Sequence, residues 1–191
     1  MRRERLKRQF FNRPTLVVAR DLLGKYIARR LEKGEVKIGK IIETEAYIGP
    51  KDKASHAVNG KMTERNQAEW LTGGHVYIYL VYGMYWQLNF STAGPGKPEC
   101  VLIRGLDVAD DLPKDIASGP GKLCRYLELD KSFYGADAAK DGRLRLEDRG
   151  EIVAPKDIEA TARVGIDYAG PYWSAKKWRF VLKNSRAKIK L

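Results

Sequence analysis

"KYIARRLEKGEVKIGKIIETEAYIG", Lys25 to Gly49, reads as two β-strands joined by a turn at Lys33–Gly34. In the second strand the even positions Val36, Ile38, Lys40, Ile42, Thr44, Ala46 and Ile48 are mostly apolar, and the period of two predicts that they face a core. The odd positions end in Glu43, Glu45 and Tyr47, which share the opposite face. Two glutamates on a wet sheet face would be unremarkable. Arg104 weighs against that reading, because it interrupts the apolar run "CVLIRGL". A buried guanidinium needs a carboxylate to match its desolvation cost. Glu43 and Glu45 are the candidate partners, and such a pair at a pocket mouth can stay ionised and hold a water.

Outward from this ladder, "PTLVVARDLLG" (14–24) predicts a helix opened by Pro14 and stopped by Gly24. Residues 49–73 read as loop, with a lone histidine at His56. "HVYIYLVYGMYWQLNFS" (75–91) reads as a β-hairpin around Gly83, "ECVLIRGLDV" (99–108) as a central strand, "SGPGKLCRYLEL" (118–129) as a helix and "KKWRFVLK" (176–183) as a last strand. The expected fold is mixed α/β (α+β): one domain over residues 1–191, with a mostly antiparallel sheet and flanking helices. Residues 1–12 read as a basic N-terminal arm, and the sequence leaves open whether it is flexible or ordered.

Composition limits the function classes. Of the 191 residues 43% are apolar, ordinary for a globular chain, and no run is long enough to span a membrane. The basic N-terminus has no apolar stretch behind it, so no secretory signal is expected and the protein is placed in the cytoplasm. Cys100 and Cys124 read as buried apolar thiols. Only two histidines are present, and no Cys/His cluster has metal-ligand spacing, so neither a metal nor a cofactor is expected. The net charge is +12. Residues 1–40 carry thirteen basic against four acidic side chains, and residues 176–191 carry seven basic and none acidic. Two basic ends around a mildly acidic middle fit a polyanion, nucleic acid first, although solvated basic tails would read the same way.

The hairpin carries a second constellation. A two-residue Gly83–Met84 loop would split its apolar set across both faces; an odd-numbered loop, such as Gly83–Tyr85, or a bulge keeps Val76, Ile78, Leu80, Trp86, Leu88 and Phe90 together. Tyr79 and Asn89 then share the other face. The tip "YGMY" presents Tyr82, Met84 and Tyr85, large side chains that suit a wedge between stacked bases unless the tip folds back on the protein.

Taken in order, "ETEAY", the histidine beyond the strand, "YIYLVYGMYWQLN", "CVLIRGL", "SGPGKLC" and "ARVGI…AG" resemble the alkyladenine (3-methyladenine) DNA glycosylase family from about Pro14 to Lys183. The resemblance implies a monomeric, monofunctional glycosylase of base excision repair, acting on damaged double-stranded DNA and leaving an abasic site. It makes Glu45 the general base that activates water. Arg104 and the backbone carbonyl of Val164 would hold that water. Tyr47 and Tyr79 would stack the extruded base with His56 against it, Tyr82 would insert into the duplex, and Asn89 would screen the purine edge. Glu43 is implied to be structural. Lys122 and the helix start at Ser118–Gly121 are expected to meet phosphate, although this stretch is no P-loop, since Ile116 and Leu123 break the pattern. In "MTERNQ" (62–67), Glu64 stands where the family more usually has proline. Two rival classes remain open: a non-catalytic basic nucleic-acid-binding domain, and a sugar-directed glycoside hydrolase. Glu43 and Glu45 would lie side by side, about 7 Å apart, whereas hydrolase carboxylates flank the bond.

Overall fold

The computed structural model describes residues 3–183, 185 and 186, and among them one antiparallel sheet of nine strands. The strands are Glu4–Arg5 (β1), Tyr26–Arg30 (β2), Val36–Ile48 (β3), Val76–Val81 (β4), Tyr85–Ser91 (β5), Glu99–Asp107 (β6), Leu144–Asp148 (β7), Ile158–Thr161 (β8) and Arg179–Leu182 (β9). Their lateral order is β1-β7-β2-β3-β6-β5-β4. Strand β3 is long enough to serve two neighbours along one edge. Tyr26–Arg30 pairs with its first part, and β9 takes over at Glu43–Glu45, with β8 outside β9. Helices Arg8–Phe11 (α1), Thr15–Asp21 (α2), Pro120–Tyr126 (α3) and Pro171–Ser174 (α4) complete the α+β fold.

Local chemistry accounts for the predicted elements. Pro14 precedes α2 in an extended conformation, and Thr15, Val18 and Ala19 bury one face at helical spacing. Gly24 then turns the chain at φ +79°, where a Cβ would also lie 2.6 Å from Val153 Cγ2. The Lys33–Gly34 turn joins β2 to β3 as expected, with Gly34 at φ +86°. Both cysteines are buried and free. Arg2, Lys188 and Lys190, part of the basic ends, lie outside the described residues.

The expected alternation along β3 holds only in its second half. The pairing of β3 with β6 is irregular between Ile41 and Thr44: Glu43 lies opposite Gly105, and Ile42 and Arg104 fall outside the ladder. This distortion exchanges the two faces. Ile41 and Ala46 both enter the main core, while Ile42 turns the other way to pack with Leu182. Val36, expected to face the core, is exposed.

Residues 4–12 are built into the fold and do not form a free arm. Glu4 and Arg5 pair with β7, and Phe11 is fully buried against Gly73 and Gly74, where a Cβ on either glycine would meet it within 3 Å. Asn12 Oδ1 accepts the Gly73 amide at 2.8 Å, and Arg8 pairs with Asp137. The N-terminus therefore latches the turn that launches β4. Phe11→Ala should cost about 3–5 kcal/mol of stability through the cavity it leaves, whereas Val17→Ala on the exposed side of α2 should stay within about 0.5 kcal/mol. Urea unfolding of both variants measures the contrast; similar small losses would show that the latch carries no weight.

Candidate active site

Cross-strand register puts the site on one face of adjacent strands. One row of partners runs Tyr77, Asn89, Leu102, Glu45, Arg179 across β4, β5, β6, β3 and β9. The next row runs Ser91, Cys100, Tyr47. The alternate row, Val76, Phe90, Val101 and Ala46, lies in the main core. Period two thus separates packing from chemistry, and three strand steps of about 4.8 Å set Tyr77 and Glu45 about 14 Å apart along the sheet. The hairpin achieves this by the predicted odd-numbered loop, although the three residues are Tyr82–Met84.

At the β3 end, Arg104 Nε donates to Glu43 Oε1 at 3.0 Å and lies 3.4 Å from Glu45 Oε1, while its Nη1 reaches Glu45 Oε2 at 3.5 Å. Arg179 Nε donates to the same Glu43 oxygen at 2.6 Å. Glu43 is thereby tied between two guanidinium groups. Glu45 is fully buried, yet its donors are asymmetric: the Val164 amide gives to Oε1 at 2.8 Å and the Tyr47 hydroxyl to Oε2 at 2.9 Å. Burial raises the Glu45 pKa above its usual value against the opposing pull of Arg104, the Val164 amide and Tyr47. Tyr47, Arg104 and Val164 line a cleft of about 430 Å³, and Glu45 lies just behind them.

The other end of the cleft is aromatic. Tyr79 meets His56 edge-on at 4.7 Å between ring centroids and lies 5.0 Å from Tyr77 at an interplanar angle of 37°. His56 Nδ1 is 2.6 Å from the Tyr77 hydroxyl, and burial, reinforced by Arg65, lowers the His56 pKa to about 4, so the ring is neutral at pH 7. Asn89 is buried, lines the cleft and donates to the carbonyls of Tyr77 and Gln87, which fixes its orientation. Outside the cleft, Tyr82 is 86% exposed and Met84 64%, so the tip stands clear of the protein. Tyr85 instead leans on α3 at Gly121, where a Cβ would lie 2.8 Å from its ring. Lys122, one residue on, pairs with Asp115 at 2.7 Å on the surface. The structure therefore gathers Glu45, Arg104, Val164, Tyr47, His56, Tyr79 and Asn89 around one cleft and leaves Tyr82, Met84, Tyr85 and Lys122 at its rim or beyond. For Val164 it shows the amide engaged with Glu45. Among the described residues no cluster of three or more His, Cys, Asp or Glu could hold a metal ion, and no helix is long and apolar enough to cross a membrane.

The family profile for methylpurine-DNA glycosylase matches residues 9–186. The chain belongs to the methylpurine-DNA glycosylase family. A chain of Methanocella arvoryzae is 47% identical over 94% of this chain and 93% of its own length. The proteins named DNA-3-methyladenine glycosylase from Mus musculus and Homo sapiens are 39% and 37% identical over 95% of this chain. This chain spans 60% of the mouse protein and 66% of the human one.

Three parts of this candidate site escape sequence reasoning. Asp52 and Arg163 form a fully buried two-point pair, at 2.9 and 2.6 Å. Arg163 also donates to the Ala46 carbonyl, and its guanidinium lies over the rings of Tyr47 and Trp178 at 4.7 and 5.1 Å. Asp52 accepts the Ala54 amide and so shapes the loop that carries His56. Asn66, inside "MTERNQ", is buried and donates to the carbonyls of His56 and Lys61, and Arg65 lies over the Tyr79 ring at 5.2 Å. Glu69, buried beside Cys100, lines the cleft. The only advance signal for these is a charged or amide residue in a short loop, which spacing alone does not separate from a surface residue.

Asp52→Asn leaves the Arg163 charge buried without its counterion, which typically costs about 3–5 kcal/mol. Denaturant unfolding should show that loss, with Asp52→Asn and Arg163→Met each destabilising and the double variant less than additive. Additive losses would mean that the two side chains are not coupled.

Proposed function

We propose that this chain, a hydrolase of N-glycosyl bonds by its family, removes alkylated or deaminated purines from duplex DNA by base flipping and a Glu45-activated water. The observation that carries the reading is the juxtaposition of a buried, arginine-held carboxylate with an aromatic cleft beneath an exposed Tyr-Gly-Met tip. Extruding a base from a duplex costs a few kcal/mol. Insertion of Tyr82 fills the vacated stack, and Tyr47, Tyr79 and His56 receive the base, at about 1–3 kcal/mol per base–aromatic contact. A water admitted between Tyr47 and Arg104 meets Glu45 Oε2, the oxygen to which both donate. Glu45 takes its proton as the oxygen attacks C1′, and its negative charge stabilises the developing oxocarbenium ion. Arg104 keeps Glu45 anionic and helps orient the water with the Val164 backbone. Asn89 meets the purine edge, and Lys122 with the start of α3 meets phosphate. No metal or cofactor has a part in these steps. The protein acts as a monomer on damaged double-stranded DNA, in the compartment that holds the genome.

A non-catalytic DNA-binding role would use the same tip and basic surface, but it has no use for a carboxylate held at 0% exposure by three separate donors. Glu45→Gln separates the two. It should lower single-turnover base release at least about a hundredfold and leave affinity for damaged duplex within a few-fold. Since burial raises the Glu45 pKa, wild-type release should decline as the pH falls, beginning above the ordinary carboxylate range. Retained excision in the variant moves the base to another residue, Glu43 first.

Tyr82→Ala should weaken flipping more than binding to undamaged duplex. The fluorescence of 2-aminopurine beside the lesion reports unstacking; equal signals from wild type and variant would mean that the tip does not enter the duplex.

A further inference from the structure

The cleft contains a carboxyl group that the mechanism above does not use. Glu69 lies within the short 3₁₀ turn Gln67–Trp70 and is 2% exposed. Its Oε1 accepts the Cys100 thiol at 3.7 Å, and its Oε2 is buried with no hydrogen-bond partner among the described residues. It lines the cleft beside the aromatic end, with Tyr77, Tyr79 and Asn89. Cys100 also lies 3.8 Å from Asn89 Oδ1, so the thiol links Glu69 to the amide that faces the cleft.

A buried carboxyl oxygen without a partner is costly in the ionised form and far less so as a protonated acid. The surroundings favour the acid. Cys100 of β6, Tyr77 and Tyr79 of β4, Asn89 of β5 and nearby Tyr134 are all uncharged groups. Of the cleft cations, Arg65 lies over the Tyr79 ring and Arg104 is held by Glu43 and Glu45; among the described residues neither forms a salt bridge with Glu69. Burial pushes the Glu69 pKa up to about 8, the Cys100 hydrogen bond lowering it only in part. At neutral pH the residue is an acid with a proton to give and no acceptor for it among the described residues.

We propose that Glu69 is a further catalytic residue of this site, the general acid that protonates neutral purines as they leave. The inference rests on the glycosylase reading above. Its chemistry balances without any further reactant. The C1′–N9 bond breaks and its electron pair passes to the purine, which takes the Glu69 proton and departs neutral. Water adds to C1′ and gives its proton to Glu45. Glu69 ends ionised and Glu45 protonated, and exchange with solvent restores both. A purine methylated at N3 or N7 is already cationic and leaves without this proton, so the two base classes report on Glu69 separately.

The test compares single-turnover release of hypoxanthine, which is neutral, and 7-methylguanine, which is cationic, from otherwise identical duplexes across pH. For wild type, hypoxanthine release should decline as the pH rises through about 8, where Glu69 loses its proton, while 7-methylguanine release should lack this limb. In Glu69→Gln the alkaline limb should vanish, and the ratio of hypoxanthine to 7-methylguanine release should fall at least about tenfold, the lower end of what a positioned acid contributes. Glu69→Asp, which keeps an acid on a shorter arm, should restore the limb in part. A ratio that does not move in Glu69→Gln, or a hypoxanthine limb that persists there, overturns the donor role. Wild type that releases 7-methylguanine but no hypoxanthine at any pH also overturns it and leaves the glycosylase reading standing; wild type that releases neither overturns both.

Discussion

Four charges in the sheet, Glu43, Glu45, Arg104 and Arg179, constrain everything around them. Each ion taken from water costs several kcal/mol, and only close, well-directed pairing offsets that cost. The backbone obeys the requirement. The irregular register around Ile42 and Arg104 lets one guanidinium reach both glutamates, and β9 joins β3 at Glu43–Glu45, bringing Arg179. A sheet built only for stability would fill these positions with apolar side chains at no loss. The cluster is better understood as the device that holds one carboxylate, Glu45, in a fixed orientation beside a cleft. Glu43 absorbs the second arginine, so that Arg104 is shared and not monopolised.

The cleft is therefore polarised along its length. The β3 end carries ions, while the β4 and β5 end is walled by tyrosines whose pKa values burial raises, by a neutral His56 and by the Asn89 amide. Paired ions thus gather at the β3 end, and the other end presents mainly dipoles and ring faces, with Arg65 over Tyr79 and the Glu69 carboxyl beside them. Between the two ends, Tyr47 belongs to both: its hydroxyl serves Glu45, and its ring rests on Arg163.

Much of this was legible in the residues. Alternation identified β3 and the hairpin, and Arg104 within an apolar run demanded the carboxylates that the structure supplies. The parity of the hairpin's apolar positions required an odd-numbered loop, and Tyr82–Met84 is one. What stayed hidden has common physical causes. The face exchange in β3 depends on a local mismatch with β6, which no single strand reports. Strands β1, β7 and β8 have two, five and four residues, too short for a periodic signal. The basic N-terminus reads as a tail by charge, yet Phe11, one apolar ring among cations, ties it down. Asp52, Asn66 and Glu69 lie in a loop-rich stretch where burial follows from tertiary packing alone.

The row Tyr77, Asn89, Leu102, Glu45 and Arg179 draws on five strands that span more than half of the chain. Contacts of such long sequence range form late, after most of the loop-closure entropy has been spent. Glu43 meets Arg179 only when β9, the last strand, has docked. The carboxylate cluster is thus complete only in the finished sheet. A nascent or partly unfolded chain therefore carries Glu43 and Glu45 without the guanidinium groups that offset their burial, and the orientation of Glu45 is a property of the finished sheet alone.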